Sequence, residues 1–243
     1  MKKTILVTGA SRGIGKSIAL LFAEKGFHVF LNCNKSVDQL EETAEIIRER
    51  GKGSCTLVQG NVGNPEDVRR MFKVIEKECR ALDVLVNNAG ISHIGLLTDM
   101  TDEEWNRIIS VNLSSVFYCC RAAVPAMVSE KAGKIINISS MWGTTGASCE
   151  SAYSAAKSGV NGLTKALAKE LAPSNISVNA IACGVVDTVM NNQLNREERA
   201  SLEDEIPAGR FADADEIAGL VWEISNTSSY MTGQIIGIDG GYI

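Results

Sequence analysis

Tyr153 and Lys157 stand four residues apart in Tyr-Ser-Ala-Ala-Lys. On a helix that spacing puts both side chains on one face, one turn apart. An ammonium beside a phenol favours the phenolate, which draws the phenol down from its solution pKa of about 10. A phenol tuned in that way can give or take a proton near neutral pH. Ser140 follows the strand-like run Lys134-Ile135-Ile136-Asn137-Ile138, so it belongs at a sheet edge that a helix could face. Together these groups could protonate a carbonyl oxygen, provided that something else delivers hydride. Ser139 competes for the serine's part, but alternation along a strand turns its side chain to the opposite face.

A second chemical signal lies near the N-terminus. Ile5-Leu6-Val7 reads as a buried strand, followed by Thr8-Gly9-Ala10-Ser11-Arg12-Gly13-Ile14-Gly15 and a helical pattern from Lys16 to Lys25. Glycines between strand and helix let backbone amides approach a pyrophosphate, and the helix N-terminus attracts its charge. The spacing Gly-x-x-x-Gly-x-Gly departs from the common Gly-x-Gly-x-x-Gly fingerprint, and alone it would equally mark a tight turn. Joined to the distant Tyr/Lys pair, it points to a dinucleotide.

The elements that must position these residues alternate between strand and helix, as in a doubly wound parallel sheet with helices on both faces. Strands are expected at 3–8, 27–33, 54–59, 83–87, 133–139, 175–182 and 234–238, and long helices at 101–130 and 151–172. Ser36 with Gln39 and Thr101 with Glu104 read as capping boxes, and Asn64 before Pro65 as an N-cap followed by a first-turn proline. Gly26 and Gly51 read as helix stops. No repeat, low-complexity tract or linker divides residues 1–243, so one α/β domain with a seven-stranded sheet is expected.

Composition narrows the function further. A net charge of -5 offers no general attraction to nucleic acid or anionic lipid. No apolar run is expected to reach the roughly 18 residues of a membrane helix. Met1-Lys2-Lys3 leads straight into the first strand, which leaves no room for a signal peptide. Seven cysteines without Cys-x-x-Cys pairing suggest reduced thiols in the cytoplasm, with Cys119-Cys120 as core packing. No His/Cys/Asp cluster has metal-site spacing.

Thr8-Gly9 to Gly15, Asn87-Asn88-Ala89-Gly90, Asn112, Ser140, Tyr153, Lys157 and the late Ile236-Gly237-Ile238-Asp239-Gly240-Gly241 occur in one order. In these motifs, from Lys3 to the C-terminus, the chain resembles the short-chain dehydrogenase/reductases, and within them the bacterial 3-oxoacyl-carrier-protein reductase branch. The resemblance implies a Rossmann-type fold and a catalytic set of Asn112, Ser140, Tyr153 and Lys157. In it Tyr153 is the acid in reduction and Ser140 a donor to the carbonyl oxygen. Lys157 binds the nicotinamide ribose, and Asn112 feeds a proton relay. It further implies cofactor contacts from Gly9, Ser11, Arg12, Gly13, Ile14 and Gly15, and from Asn61 and Val62 beside the adenine. Asn88, Ala89 and Gly90 would lie near a ribose, and Val186 and Thr188 at the carboxamide. NAD-preferring relatives carry an acidic residue at the end of strand two. Here that end reads Asn32-Cys33-Asn34-Lys35, with no carboxylate. Arg12 could therefore meet a 2′-phosphate, as could the segment Asn34-Lys35, so NADP(H) is expected, although Lys35 could equally be a solvated charge. Relatives read Pro-Gly where this chain has Cys183-Gly184, a change expected to loosen the nicotinamide pocket.

The substrate is less legible. Trp142, Glu150 and His93 are candidates for the pocket, and 187–206 for a lid over it. Acidic carrier proteins call for basic residues at the entrance. Lys131 occupies one such position of the relatives and Ser174 stands at a second, which weakens the fatty-acid-synthesis reading. The loop from Trp142 to Glu150 also resembles reductases of a 5-aminopentanone group on elongation factor P. Glu150 could pair with that substrate's ammonium, or simply favour a helix N-terminus. The resemblance also implies a homotetramer through helices 101–130 and 151–172, where Ala155, Ala156, Gly159 and Gly162 permit close approach or pack on the sheet.

Overall fold

Seven short apolar runs become seven parallel strands of one sheet, ordered β3-β2-β1-β4-β5-β6-β7. They are β1 (Thr4–Val7), β2 (His28–Leu31), β3 (Ser54–Leu57), β4 (Val84–Asn87), β5 (Gly133–Ser140), β6 (Ile176–Cys183) and β7 (Ile235–Ile238). The computed structural model describes residues 2–191 and 194–243. Every expected strand is present, and the central ones are apolar along their length because helices cover both faces. Helices α1 (Gly13–Glu24), α2 (Val37–Arg50) and α9 (Ala214–Asn226) line one face. Helices α3 (Pro65–Glu78), α5 (Ser115–Glu130) and α7 (Ser151–Leu171) line the other. The shorter α4 (Asp102–Ile109), α6 (Trp142–Thr145) and α8 (Arg196–Glu205) sit near the carboxyl ends of the strands. Strand order reverses between β1 and β4, which opens a crevice at those ends.

Local chemistry explains most boundaries. Asn64 accepts from the amides of Glu66 and Asp67, and the Thr101/Glu104 box is complete. Gly51 ends α2 at φ 66°. Ser36 does not cap α2 through its side chain, because its backbone at ψ 61° is not extended and does not aim the hydroxyl at the first turn. Helix α1 starts three residues earlier than its apolar pattern suggests, so Gly13 and Gly15 lie in its first turn.

The stretch Asp102–Glu130 is, contrary to the composition reading, one helical run long and apolar enough to cross a membrane. In this fold it is a core helix: Val116, Cys119, Cys120, Ala123 and Met127 are buried against the sheet.

Polar stitches set the position of α7 on β5. Ser139 Oγ donates to Asn161 Oδ1 at 2.7 Å, and Asn137 Nδ2 donates to Thr164 Oγ1 at 2.9 Å. Asn87 Nδ2 extends the chain by donating to Asn137 Oδ1 at 2.9 Å. Buried amides are costly without partners, so these bonds select one axial position of the helix. Thr164→Val should leave the Asn137 amide short of an acceptor and lower stability by about 1–3 kcal/mol in equilibrium urea unfolding, with Thr164→Ser close to the parent.

Candidate active site

β5 ends in Ser140, and α7 returns across it with Tyr153 and Lys157. Ser140 is buried, and its Oγ accepts from the Trp142 amide at 3.2 Å. Ser140 faces the Tyr153 phenol closely enough to temper its pKa. Lys157 is 4 % exposed; its Nζ donates to Ile138 O at 2.7 Å and lies 5.5 Å from the centre of the Tyr153 ring. Ser139 points into the α7 interface, away from this cluster, through its bond to Asn161.

The electrostatics differ from the sequence expectation. Burial, reinforced by Cys183 and Glu150, pushes the Tyr153 phenol up, and the nearby Ser140 hydroxyl only partly offsets it. Burial also draws the Lys157 ammonium down to about 8. Lys157 lies over the ring and donates to a backbone carbonyl, while burial dominates the phenol's pKa. The phenol keeps its proton through the neutral range, the state required of a proton donor.

Asn112 approaches the same place from the opposite wall. It occupies a π-helical turn, Ser110–Ser114, between α4 and α5. Its Oδ1 accepts from Ile91 N at 3.0 Å and its Nδ2 donates to Ile91 O at 2.9 Å. A Cβ at Gly90 would stand 2.8 Å from Asn112 Oδ1 and 3.7 Å from Lys157 Nζ, so only a glycine lets this backbone pass between them. Single π turns recur at functional sites.

The glycine turn is held by residues that the sequence reading passed over. Thr8 Oγ1 accepts from the amides of Asn88 and Ala89 at 2.9 and 3.0 Å. Asn88 Nδ2 donates to Thr8 O and Gly9 O, so this side chain, expected beside a ribose, is committed to the turn. Asn32, fully buried, accepts from Gly9 N at 3.3 Å and donates to Val58 O and Gly60 O. A buried asparagine closing an apolar strand was the available signal.

This turn fits a pyrophosphate. A Cβ at Gly15 would overlap Gly9 O and stand 2.6 Å from Asn88 Nδ2, and Gly9 and Gly13 have φ of 68° and 53°. Helix α1 has no side-chain cap and no acidic residue in its first turn, which leaves its positive end open to an anion. Ser11 is buried, Ile14 half-buried and Arg12 exposed. Asn34 and Lys35 are exposed at the end of β2, and among the described residues neither Arg12 nor Lys35 has an ion-pair partner. Asn61 Oδ1 accepts from Gly63 N, and Val62 is buried beside it. Val186 pairs with Ala212, and Thr188 meets the turn, 3.2 Å from where a Cβ on Gly13 would lie. Cys183 pairs in the ladder with Ser140 on one side and Ile238 on the other.

The pocket candidates surround Tyr153 unequally. Glu150 precedes α7 without capping it, and burial raises its carboxyl pKa. Trp142 opens α6 and packs edge-on against Tyr242, ring centres 5.8 Å apart. His93 leans outward toward Glu104, at 3.9 Å, on a loop tied to the Tyr153 side by Gly95 N donating to Cys149 O at 2.8 Å. Of the expected lid, Val189–Asn191 forms a 3-10 turn and α8 follows, capped by Asn195 with Glu198; Asn192 and Gln193 lie outside the described residues. Among the described residues no group of His, Cys, Asp and Glu could hold a metal ion.

The family model for short chain dehydrogenases matches residues 3–199. The chain belongs to that family. It is 42% identical over 242 residues to the 3-oxoacyl-[acyl-carrier-protein] reductase of Staphylococcus aureus, covering 99% of this chain and 98% of that one. A 3-oxoacyl-[acyl-carrier protein] reductase from Brucella melitensis has the same fold at TM-score 0.92, with 33% identity over 99% of this chain and 91% of that one. An NADPH-dependent reductase involved in bacilysin biosynthesis superposes at TM-score 0.94, with 27% identity over 100% of this chain and 99% of that one. The protein is an oxidoreductase acting on CH–OH or C=O groups, and its glycine turn suits a nicotinamide dinucleotide. Gly15→Ala should abolish dinucleotide binding in a fluorescence titration, because the added methyl meets backbone that cannot retreat, while circular dichroism stays close to the parent.

Proposed function

We propose that the protein reduces a ketone to a secondary alcohol with NADPH, the ketone being a 3-oxoacyl group borne by acyl carrier protein. One juxtaposition carries the reading: Ser140 faces a phenol that keeps its proton, with the buried Lys157 ammonium over the same ring. A bound nicotinamide supplies the hydride. Tyr153 protonates the carbonyl oxygen. The Trp142 amide occupies a lone pair of Ser140 Oγ, which leaves the hydroxyl proton free to meet charge growing on that oxygen. Lys157 holds the nicotinamide ribose and returns a proton to Tyr153, with Asn112 ordering the relay behind it. Arg12 and Lys35, exposed and unpaired among the described residues, supply positive charge for a 2′-phosphate.

The stretch 187–206, which contains α8, serves as the lid. Seven free cysteines suit a reducing cytoplasm. A homotetramer would use α5 and α7: Gly162 faces open space and Ala155 is exposed, whereas Ala156 is buried and Gly159 meets Leu113 within the chain.

A second reading rests on Glu150. This carboxylate lies near Tyr153, is half-buried, and has no ion-pair partner among the described residues. A ketone carrying an ammonium, such as an aminopentanone on elongation factor P, would complete the pair.

Purified enzyme should oxidise NADPH with a 3-oxoacyl thioester, and inertness toward every acyl thioester would end the carrier reading. Tyr153→Phe should cut reduction by roughly 10²–10⁴ while NADPH still binds; full turnover would remove the phenol from the chemistry. Arg12→Ala should raise KM for NADPH by about tenfold and leave NADH unchanged. Were the aminoketone the substrate, Glu150→Gln should raise its KM and spare neutral ketones; an unaltered rate would end that pairing.

A further inference from the structure

The chain's last residues link the lid to the serine loop. Gly240 and Gly241, at φ 68° and 84°, turn the chain back after β7, and Gly241 N donates to Asp239 Oδ1 at 2.9 Å. The turn lies on the end of β6: Gly184 N donates to Ile238 O at 2.9 Å, and a Cβ on Gly184 would stand 2.6 Å from Asp239 Cα. The segment after α8 is tied to it, with Ala208 N donating to Gly240 O at 3.0 Å. Tyr242 is thereby placed between two elements that do not follow each other in sequence. Its hydroxyl donates to Glu205 Oε2, in the last turn of α8, at 2.8 Å. Its ring meets Trp142, ring centres 5.8 Å apart at 76°. The Trp142 amide in turn donates to Ser140 Oγ.

We infer that Tyr242 is a positioning residue for the reductase, a strut that couples the seating of α8 to the Trp142 wall. The inference rests on the proposed ketone reduction. The other end of α8 is held separately: Arg199 donates to both carboxylate oxygens of Asp187 at 2.9 and 2.8 Å and stacks on Phe211 at 4.5 Å. Helix α8 is therefore clasped near the end of β6 by an ion pair and at its far end by the Tyr242 phenol together with the Ala208–Gly240 bond. A change at the phenol should alter how the lid meets substrate without detaching it. Because Trp142 lies on the substrate side and the glycine turn on the other, the strut should act on ketone KM and leave NADPH binding alone.

The test is a double-mutant cycle on the intact enzyme. Tyr242→Phe keeps the ring on Trp142 and removes the hydroxyl; Glu205→Ala removes the acceptor. Each should raise KM for the 3-oxoacyl thioester on the order of fivefold, with kcat and NADPH affinity near the parent. The double variant should be no worse than either single one, because both remove the same bond. Glu205→Gln, which keeps an acceptor oxygen, should recover most of the loss. Tyr242→Ala should also shift the Trp142 fluorescence, isolated by subtracting the spectrum of Trp142→Phe. Additive effects, a KM that does not move, or an unchanged Trp142 spectrum would overturn the strut. If the parent enzyme binds NADPH but reduces no ketone, the functional reading fails instead, and the Trp142 spectrum still decides whether the strut exists.

Discussion

A buried ammonium is tolerated only where the fold gives it an acceptor and a polarisable neighbour. Lys157 has both: the Ile138 carbonyl of β5 takes its proton and the Tyr153 ring lies across it. This arrangement requires that α7 sit on β5 at one height. A shift by one helical turn would leave Nζ without Ile138 O and carry Tyr153 away from Ser140. The rest of the molecule can be understood as the means of holding that height.

The polar stitches do so from within. Ser139 and Asn137 lie inside a largely apolar sheet and find their partners when α7 presents Asn161 and Thr164 to them, and Asn87 braces Asn137 from the next strand. Alternation along β5 divides two adjacent serines between these tasks, with Ser139 fastening the helix and Ser140 facing the site. On the opposite wall the π turn at Asn112 places a side chain where it can clamp Ile91, which fixes the passage of Gly90 beside Lys157. The glycine turn is stabilised in the same manner, by Thr8, Asn32 and Asn88 bonding its backbone. The first amides of α1, at Gly13 and Ile14, have no side-chain cap and are left for a ligand.

Much of this was legible beforehand because its signals are local. Apolar runs of strand length located seven strands, Asn64 and the Thr101/Glu104 pair marked helix starts, and the spacing of Tyr153 and Lys157 implied a shared face. The errors also have physical causes. Ser36 has a capping residue's chemistry without the backbone angles that would aim it. The run from Asp102 to Glu130 is apolar enough for a membrane because one face of it closes a core.

Residue type and spacing determined the family, the order of elements and the identity of the groups that could act, since each depends on neighbours within a few positions or on a motif. The tertiary structure alone decided the protonation of the phenol, the isolation of Glu150 and the meeting of Tyr242 with Glu205 and Trp142. Those depend on how much water is excluded and on which distant segments share one edge of the sheet, and a linear pattern of residues encodes neither directly.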